Sequence, residues 1–100
     1  MIIGCCYIKF YLHESRSLKE KRRVVRAIKD RLKNNFNVSV AEVGDPDNWQ
    51  SLHIGISAVG SDRRYMDGLM TKVVDAIDRM NLAEITNCKT ETMNMGSENF

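Results

Sequence analysis

The spacing of apolar side chains along this chain switches between that of a strand and that of a helix. The order of these switches constrains the fold more than any other feature. Alternation of apolar and polar side chains, which is typical of a half-buried strand, occupies residues 2–12 and 49–59. Residues 36–43 are rich in β-branched side chains and residues 83–93 form a last, more polar run, and we predict both as strands. Apolar side chains with a helical repeat occupy the run from Leu18 to about Asn35 and the run that begins after Asp62. The predicted order of elements is therefore strand, helix, strand, strand, helix, strand.

This order predicts an α+β protein of ferredoxin-like βαββαβ architecture. With right-handed crossovers, it most simply gives a four-stranded antiparallel sheet with both helices on one face. A chain of 100 residues is long enough for one hydrophobic core and too short for two. We predict a single domain over residues 1–93, and we expect residues 94–100 to form a flexible C-terminal tail.

The N-terminal run and the cysteines indicate a reduced, cytoplasmic protein. The run Met1–Ile8 has no basic region before it and no cleavage site after it, and Lys9 interrupts it long before it reaches membrane-spanning length. Cys5 and Cys6 are adjacent and Cys88 is the third cysteine, so the odd count fits no disulfide framework. We expect three free thiols, no membrane association and no cofactor.

The first predicted helix is the most basic part of the chain. Ser17 and Glu20 have the spacing of a capping box, so the helix is predicted to begin at Leu18. Residues 16–33 hold nine basic and two acidic side chains, a net charge of +7, whereas the other residues together carry −5. The net charge of the whole chain is only +2, so the segregation of charge is the informative feature.

Six cations of this helix project within about 120° of one another at 3.6 residues per turn, and a seventh precedes the first turn. Such a ladder matches a phosphate backbone, and cations without acidic partners four residues away repel one another. The alternative interpretation is a solvated helix face that has no partner. The predicted RNA-binding residues are Arg16, Lys19, Arg22, Arg23, Arg26, Lys29 and Lys33.

Lys21 falls in the middle of the apolar stripe of the same helix. A lysine there is costly unless its ammonium group reaches water or a carboxylate. One interpretation is that Lys21 lies in the first turn and extends past the helix end into solvent. The other is that it reaches Glu42 or Glu14 and positions a loop.

Four motifs resemble the YlxP-like family, small bacterial proteins with a domain of unknown function. The motifs are Ser17-Leu18-Lys19-Glu20-Lys21-Arg22, Phe36-Asn37-Val38-Ser39-Val40-Ala41-Glu42-Val43, Asp47-x-Trp49-Gln50 and Ile54-Gly55. The resemblance spans residues 1 to about 93 in one register. It implies a ferredoxin-like fold and genes that often lie among those for translation initiation and ribosome maturation. It implies no catalytic residue and no defined ligand.

The sheet face that no helix is predicted to cover carries Ile3, Tyr7 and Tyr11. The two tyrosines, with Lys9 between them, resemble a platform on which single-stranded bases stack. However, the outward positions of residues 51–57 lack the aromatic side chains of an RNA-recognition motif. Such a face more often packs against a second copy of the protein. We therefore predict a homodimer with Ile3, Tyr7 and Tyr11 at the interface.

No group of residues indicates catalysis. His13 and His53, the two histidines, stand in no metal-ligand spacing with the cysteines, so no metal site is predicted. Acylphosphatases share the βαββαβ order but use a glycine-rich phosphate loop after the first strand, whereas residues 12–16 contain no glycine. We expect a protein that is not an enzyme, and a hydrolase of the acylphosphatase type is the least favoured alternative.

Together these observations predict a non-enzymatic RNA- or ribosome-associated binding protein that uses its basic first helix in ribosome maturation or translation. The gene neighbourhood of the similar family supports this prediction by analogy only. The alternative is a protein-interaction or small-ligand regulatory domain that works through the dimerised sheet, in which the basic helix only keeps the protein soluble.

Overall fold

Four strands and two helices follow one another in the predicted order. The structure is a computed structural model that describes residues 1–96. Its elements are β1 (Ile2–Tyr11), α1 (Leu18–Asn35), β2 (Ser39–Glu42), β3 (Ser51–Gly60), α2 (Arg63–Met80) and β4 (Glu84–Asn94). The strands lie in the order β2-β3-β1-β4, and every neighbouring pair is antiparallel. The predicted ferredoxin-like α+β architecture is confirmed.

The alternation within the central strands gives the sheet one covered face and one open face. In β1, Ile8 and Phe10 are buried, whereas Tyr7 and Lys9 are exposed. Successive side chains of a strand point to opposite faces, so the buried set lies on the side of the helices. There it joins the apolar residues of α1 and α2 in one core, together with Leu52 and other residues of β3.

α1 begins at Leu18, as the capping box predicts. Ser17 precedes the helix with an extended backbone, and its Oγ accepts a hydrogen bond of 3.2 Å from the N–H of Glu20. The carboxylate of Glu20 accepts from the N–H of Arg16, which fixes the chain one residue before the cap. Within residues 1–96, neither helix combines the length and the apolar composition needed to cross a membrane.

The β2–β3 hairpin is shorter than the sequence predicts. β2 covers only Ser39–Glu42 of the predicted run 36–43, and β3 begins at Ser51 rather than at Trp49. The Asn48 side-chain oxygen accepts hydrogen bonds of 3.1 Å from the N–H groups of the two residues that follow Trp49. These bonds form a side-chain turn, so Trp49 belongs to the connecting loop.

The end of β4 continues into the segment that was predicted as a tail. β4 ends at Asn94, and the next residue, Met95, exchanges two backbone hydrogen bonds with Met1, of 2.8 and 2.9 Å. The N-terminus is thereby tied to the last described part of the chain. Residues 97–100 of the predicted tail 94–100 lie outside the described residues.

Candidate functional site

The basic surface predicted from the sequence lies along α1. Six of the seven predicted RNA-binding side chains are exposed, and Lys29 is half-buried. Among residues 1–96, the side-chain ion pairs are Lys21 with Glu42 and His13 with Glu84. None of the seven cations therefore pairs with a described carboxylate, and their charge is not neutralised within the described part of the fold.

A groove of about 360 Å³ runs between α1 and the β2 side of the molecule. Four predicted cations, spaced three or four residues apart, share one helix face and line this groove: Arg22, Arg26, Lys29 and Lys33. Its other lining residues are Lys21, Val25, Asp30, Glu42 and Pro46. We call it the basic groove. The remaining predicted cations, Arg16, Lys19 and Arg23, do not line it.

Lys21 lines the basic groove and is almost completely buried, with 2 % of its side chain exposed. Its Nζ lies 3.0 Å from Glu42 Oε2 and donates hydrogen bonds to the carbonyl oxygens of Asp45, at 2.9 Å, and Asn48, at 2.6 Å. The two carbonyl hydrogen bonds and the charge of the nearby carboxylate offset the loss of hydration. The interpretation in which Lys21 extends into solvent is wrong, and its carboxylate partner is Glu42 rather than Glu14.

Glu42 is the other half of this buried pair. Its Oε2 atom is buried and accepts no hydrogen bond that meets standard geometry from the described residues, although the Lys21 ammonium lies within ion-pair distance. We therefore regard the contact as chiefly electrostatic. Both residues line the basic groove, and 20 % of the Glu42 side chain is exposed, so the pair forms part of the groove wall.

Lys21 also fixes the turn between β2 and β3. The carboxylate of Asp45 accepts from the N–H of Asp47 at 2.9 Å, and Lys21 donates to the backbone carbonyls of Asp45 and Asn48, at the two ends of this turn. The Asn48 carbonyl belongs to the peptide bond with Trp49, whose side chain is 40 % exposed. The dense turn signal before Trp49 is the sequence feature that could have placed this tryptophan in a surface loop rather than a strand.

The three predicted dimer-interface residues lie on the open face of the sheet. Tyr7 and Tyr11 are exposed and Ile3 is half-buried. Ile3 pairs in register with Val59 of β3 and with Met93 of β4, and both of these side chains are exposed. An apolar row therefore crosses three strands. Met93 could not be assigned to this row from the sequence, because its face depends on the register between β1 and β4.

Both tyrosines of this face contact a histidine. The Tyr7 hydroxyl lies 2.8 Å from His53 Nδ1, and the Tyr11 ring meets the ring of His13 edge to face with centroids 4.5 Å apart. His13 Nε2 in turn lies 2.7 Å from Glu84 Oε2. Over residues 1–96, no three His, Cys, Asp or Glu side chains form a group that could hold a metal ion. The contacts of these histidines are with tyrosine and carboxylate.

The three cysteines are free thiols in different environments. Cys6 is buried, Cys5 is half-buried and Cys88 is exposed. Burial, and next the neighbouring Cys88, raises the pKa of the Cys6 thiol from 9.0 to about 12. Because the thiolate is the reactive form, Cys6 is unreactive near neutral pH.

Two sequence comparisons match this chain over most of its length. Residues 3–90 match the family model described as "Protein of unknown function (DUF503)". The chain is also 38 % identical over 90 residues to the uncharacterized protein YlxP of Bacillus subtilis (strain 168), and the match covers 90 % of this chain and 98 % of that protein.

Solved structures share the fold at low sequence identity. The de novo designed protein Foldit4 matches with a TM-score of 0.54 and 15 % identity, over 96 % of this chain and 100 % of its own. The VAO-type flavoprotein MtVAO615 from Myceliophthora thermophila C1 matches with a TM-score of 0.56 and 18 % identity, over 93 % of this chain and 16 % of its own. These two likenesses show the fold alone. From the family match and the full-length similarity to YlxP, the chain belongs to the DUF503 family of proteins of unknown function.

Proposed function

We propose that this protein is a non-enzymatic RNA-binding module that acts on RNA or the ribosome in ribosome maturation or translation. Its contacts with phosphate are made by the cations of α1, and the four that line the basic groove form the centre of the site. The flanking contacts come from Arg16, Lys19 and Arg23. The family's gene neighbourhood supports the biological setting by analogy only.

One observation carries this proposal, namely that no described carboxylate pairs with any of the seven cations. Like charges on one helix face repel one another, and a surface that served only solubility would intersperse acidic residues. A phosphate backbone removes this repulsion and releases its own counterions when it binds. Among the described residues that line the groove, Asp30 is the one acidic side chain besides the paired Glu42, so their summed charge is positive.

We further propose that the protein is a cytoplasmic homodimer that buries the open face of its sheet. The apolar row of Ile3, Val59 and Met93, together with Tyr7 and Tyr11, supports a second copy as the occupant. The three free thiols support a reducing compartment. This face is also the working surface of the second candidate function, a protein-interaction or small-ligand regulatory domain.

A charge-reversal experiment separates the two functions. Arg22→Glu with Arg26→Glu is expected to abolish binding of a fluorescently labelled ribosomal RNA fragment at moderate salt, because two contacts are lost and two repulsive charges are introduced. The control is Arg64→Glu with Arg79→Glu on α2, since both of these side chains are exposed. Arg63 is unsuitable as a control, because its guanidinium donates to the Thr92 carbonyl at 3.4 Å.

Both double variants are expected to unfold at nearly the wild-type temperature, because exposed substitutions change stability little. If the α1 variant binds RNA as tightly as the wild type and the α2 control, the basic surface is only a solvated helix face. The regulatory-domain function then becomes the better explanation.

A further inference from the structure

The loop between β2 and β3 exposes the only tryptophan of the chain. Trp49 is 40 % exposed, although a large aromatic side chain at a surface loses hydrophobic burial that it could gain inside the protein. The loop that carries it is not loosely attached, because Lys21 holds the carbonyls of Asp45 and Asn48. The structure therefore presents an aromatic ring on a fixed support.

This fixed loop adjoins the basic groove. Pro46 of the loop lines the groove, as does Lys21. Lys21 donates at 2.6 Å to the carbonyl of the peptide bond between Asn48 and Trp49. Trp49 therefore directly follows a residue whose carbonyl accepts a hydrogen bond from a lining residue of the groove.

We propose that Trp49 stacks on a base of single-stranded RNA whose phosphates occupy the basic groove. This inference rests on the proposed function and narrows its substrate class. Stacking on an aromatic ring needs a base that is free to leave its own stack, as bases in single strands and loops are. The paired bases of an A-form duplex are enclosed, so a duplex can use only the cations of the groove.

Trp49 suits this role better than the tyrosines of the open sheet face. Tyr7 and Tyr11 lie on the side of the sheet opposite to α1, because the helices cover the other face. A strand of RNA that follows α1 would have to pass around the β2 edge of the sheet to reach them. Trp49 instead follows directly from the turn that borders the groove.

The single tryptophan provides a direct test in the wild-type protein. Intrinsic fluorescence is recorded while an eight-nucleotide oligoadenylate is added at low salt, and binding of the labelled oligonucleotide is measured in parallel by anisotropy. We expect quenching that saturates together with the anisotropy signal. A blunt RNA duplex of the same length is expected to bind through its phosphates with little quenching.

Variants of Trp49 give the second readout. Trp49→Leu is expected to weaken binding of the single strand roughly tenfold and to leave duplex binding unchanged, whereas Trp49→Phe keeps a stacking ring and is expected to retain most of the affinity. Tyr65→Leu is the control, because Tyr65 is an exposed aromatic residue on α2. It is expected to change neither affinity.

The outcomes distinguish this inference from the proposed function. If neither RNA binds at low salt, the proposed function fails and the inference fails with it. If the single strand binds without quenching, or if Trp49→Leu weakens single strand and duplex equally or not at all, the inference alone is overturned. The wild-type titration gives this answer even if the Trp49→Leu variant does not fold.

Discussion

Lys21 and Glu42 form a buried ion pair in which Lys21 Nζ lies 3.0 Å from Glu42 Oε2. The pair joins α1 to β2, and the same ammonium group holds two carbonyls of the turn that follows β2. A buried charge is tolerated when its partners are in place and is strongly destabilising when one of them is removed. This pair therefore connects the stability of the fold to the shape of the basic groove.

Removal of the ammonium group should destabilise the protein. Lys21→Met preserves much of the side-chain length but leaves the Glu42 carboxylate without its counter-charge, so we expect a loss of about 3 kcal/mol in the free energy of unfolding. Urea unfolding measures this loss. The control, Lys19→Met, removes an exposed charge nearby, and we expect a change of less than about 0.5 kcal/mol.

The double variant Lys21→Met with Glu42→Leu tests the cause of this loss. Replacement of both charges by apolar side chains removes the unpaired buried carboxylate, so part of the lost stability should return. If the double variant is as unstable as Lys21→Met or less stable, the unpaired charge of Glu42 is not the source of the loss.

Binding of RNA should weaken steeply as salt increases. With about four to six phosphate contacts, the slope of log affinity against log salt concentration is expected to be roughly −3 to −5. Neutralisation by Arg22→Gln with Arg26→Gln should make this slope shallower by about 1 to 2, because two contacts are lost. Anisotropy titrations at several salt concentrations measure both slopes. A slope that the double variant leaves unchanged would place the contacts elsewhere on the surface.

The open sheet face should mediate self-association. Wild-type protein is expected to sediment at twice its chain mass of 11.5 kDa, because Tyr7 and Tyr11 are exposed beside an apolar row. Tyr7→Lys with Tyr11→Lys should give monomers, whereas Tyr65→Lys, on α2, should not. Sedimentation velocity distinguishes these species. Wild-type protein that stays monomeric at micromolar concentration would rule out the dimer.

The thiols should react in the order of their exposure. Denatured protein prepared without oxygen is expected to show three free thiols per chain. In the native protein at pH 8, Cys88 should be alkylated first, and Cys6 should resist because a pKa of about 12 leaves roughly one part in 10⁴ as thiolate. Mass spectrometry after a short exposure to iodoacetamide shows the order. Early labelling of Cys6 would mean that it is more accessible than this structure shows.

The raised pKa of Cys6 also predicts how stability changes in alkali. The pKa is higher in the folded state than in the unfolded chain, so the unfolded chain loses this proton first as the pH rises. The contribution of Cys6 to stability should be complete below pH 9.0 and should be lost as the pH approaches 12. Cys6→Val removes this titration, so its urea midpoint should fall less between pH 9.0 and 11 than that of the wild type. Parallel declines would exclude Cys6 as a source.

The elements could be predicted from the sequence because they depend on neighbours only a few residues apart. Alternation in β1 and the helical repeat in α1 are local patterns, and the capping residues Ser17 and Glu20 are three positions apart. The hairpin ends were less predictable. The side chain of Asn48 competes with the sheet for backbone N–H groups, and alternation does not show this competition.

The candidate site could be predicted only in part. Helical spacing alone places Arg22, Arg26 and Lys33 on one face of α1, and all three line the basic groove. The selection of four cations out of seven depends on where β2 and its turn pack against the helix. Trp49 itself lies in the loop before β3, directly after the residue whose carbonyl Lys21 binds.

By itself, the sequence determined the βαββαβ order, the basic first helix and the position of Lys21 on the apolar stripe. Only the tertiary structure determined which groups the Lys21 ammonium binds. Its hydrogen-bond acceptors lie 24 and 27 residues further along the chain, and local patterns carry no information about such distant partners. A lysine on an apolar stripe can extend to water or find internal acceptors, and the decision depends on which distant groups the fold brings within hydrogen-bond distance.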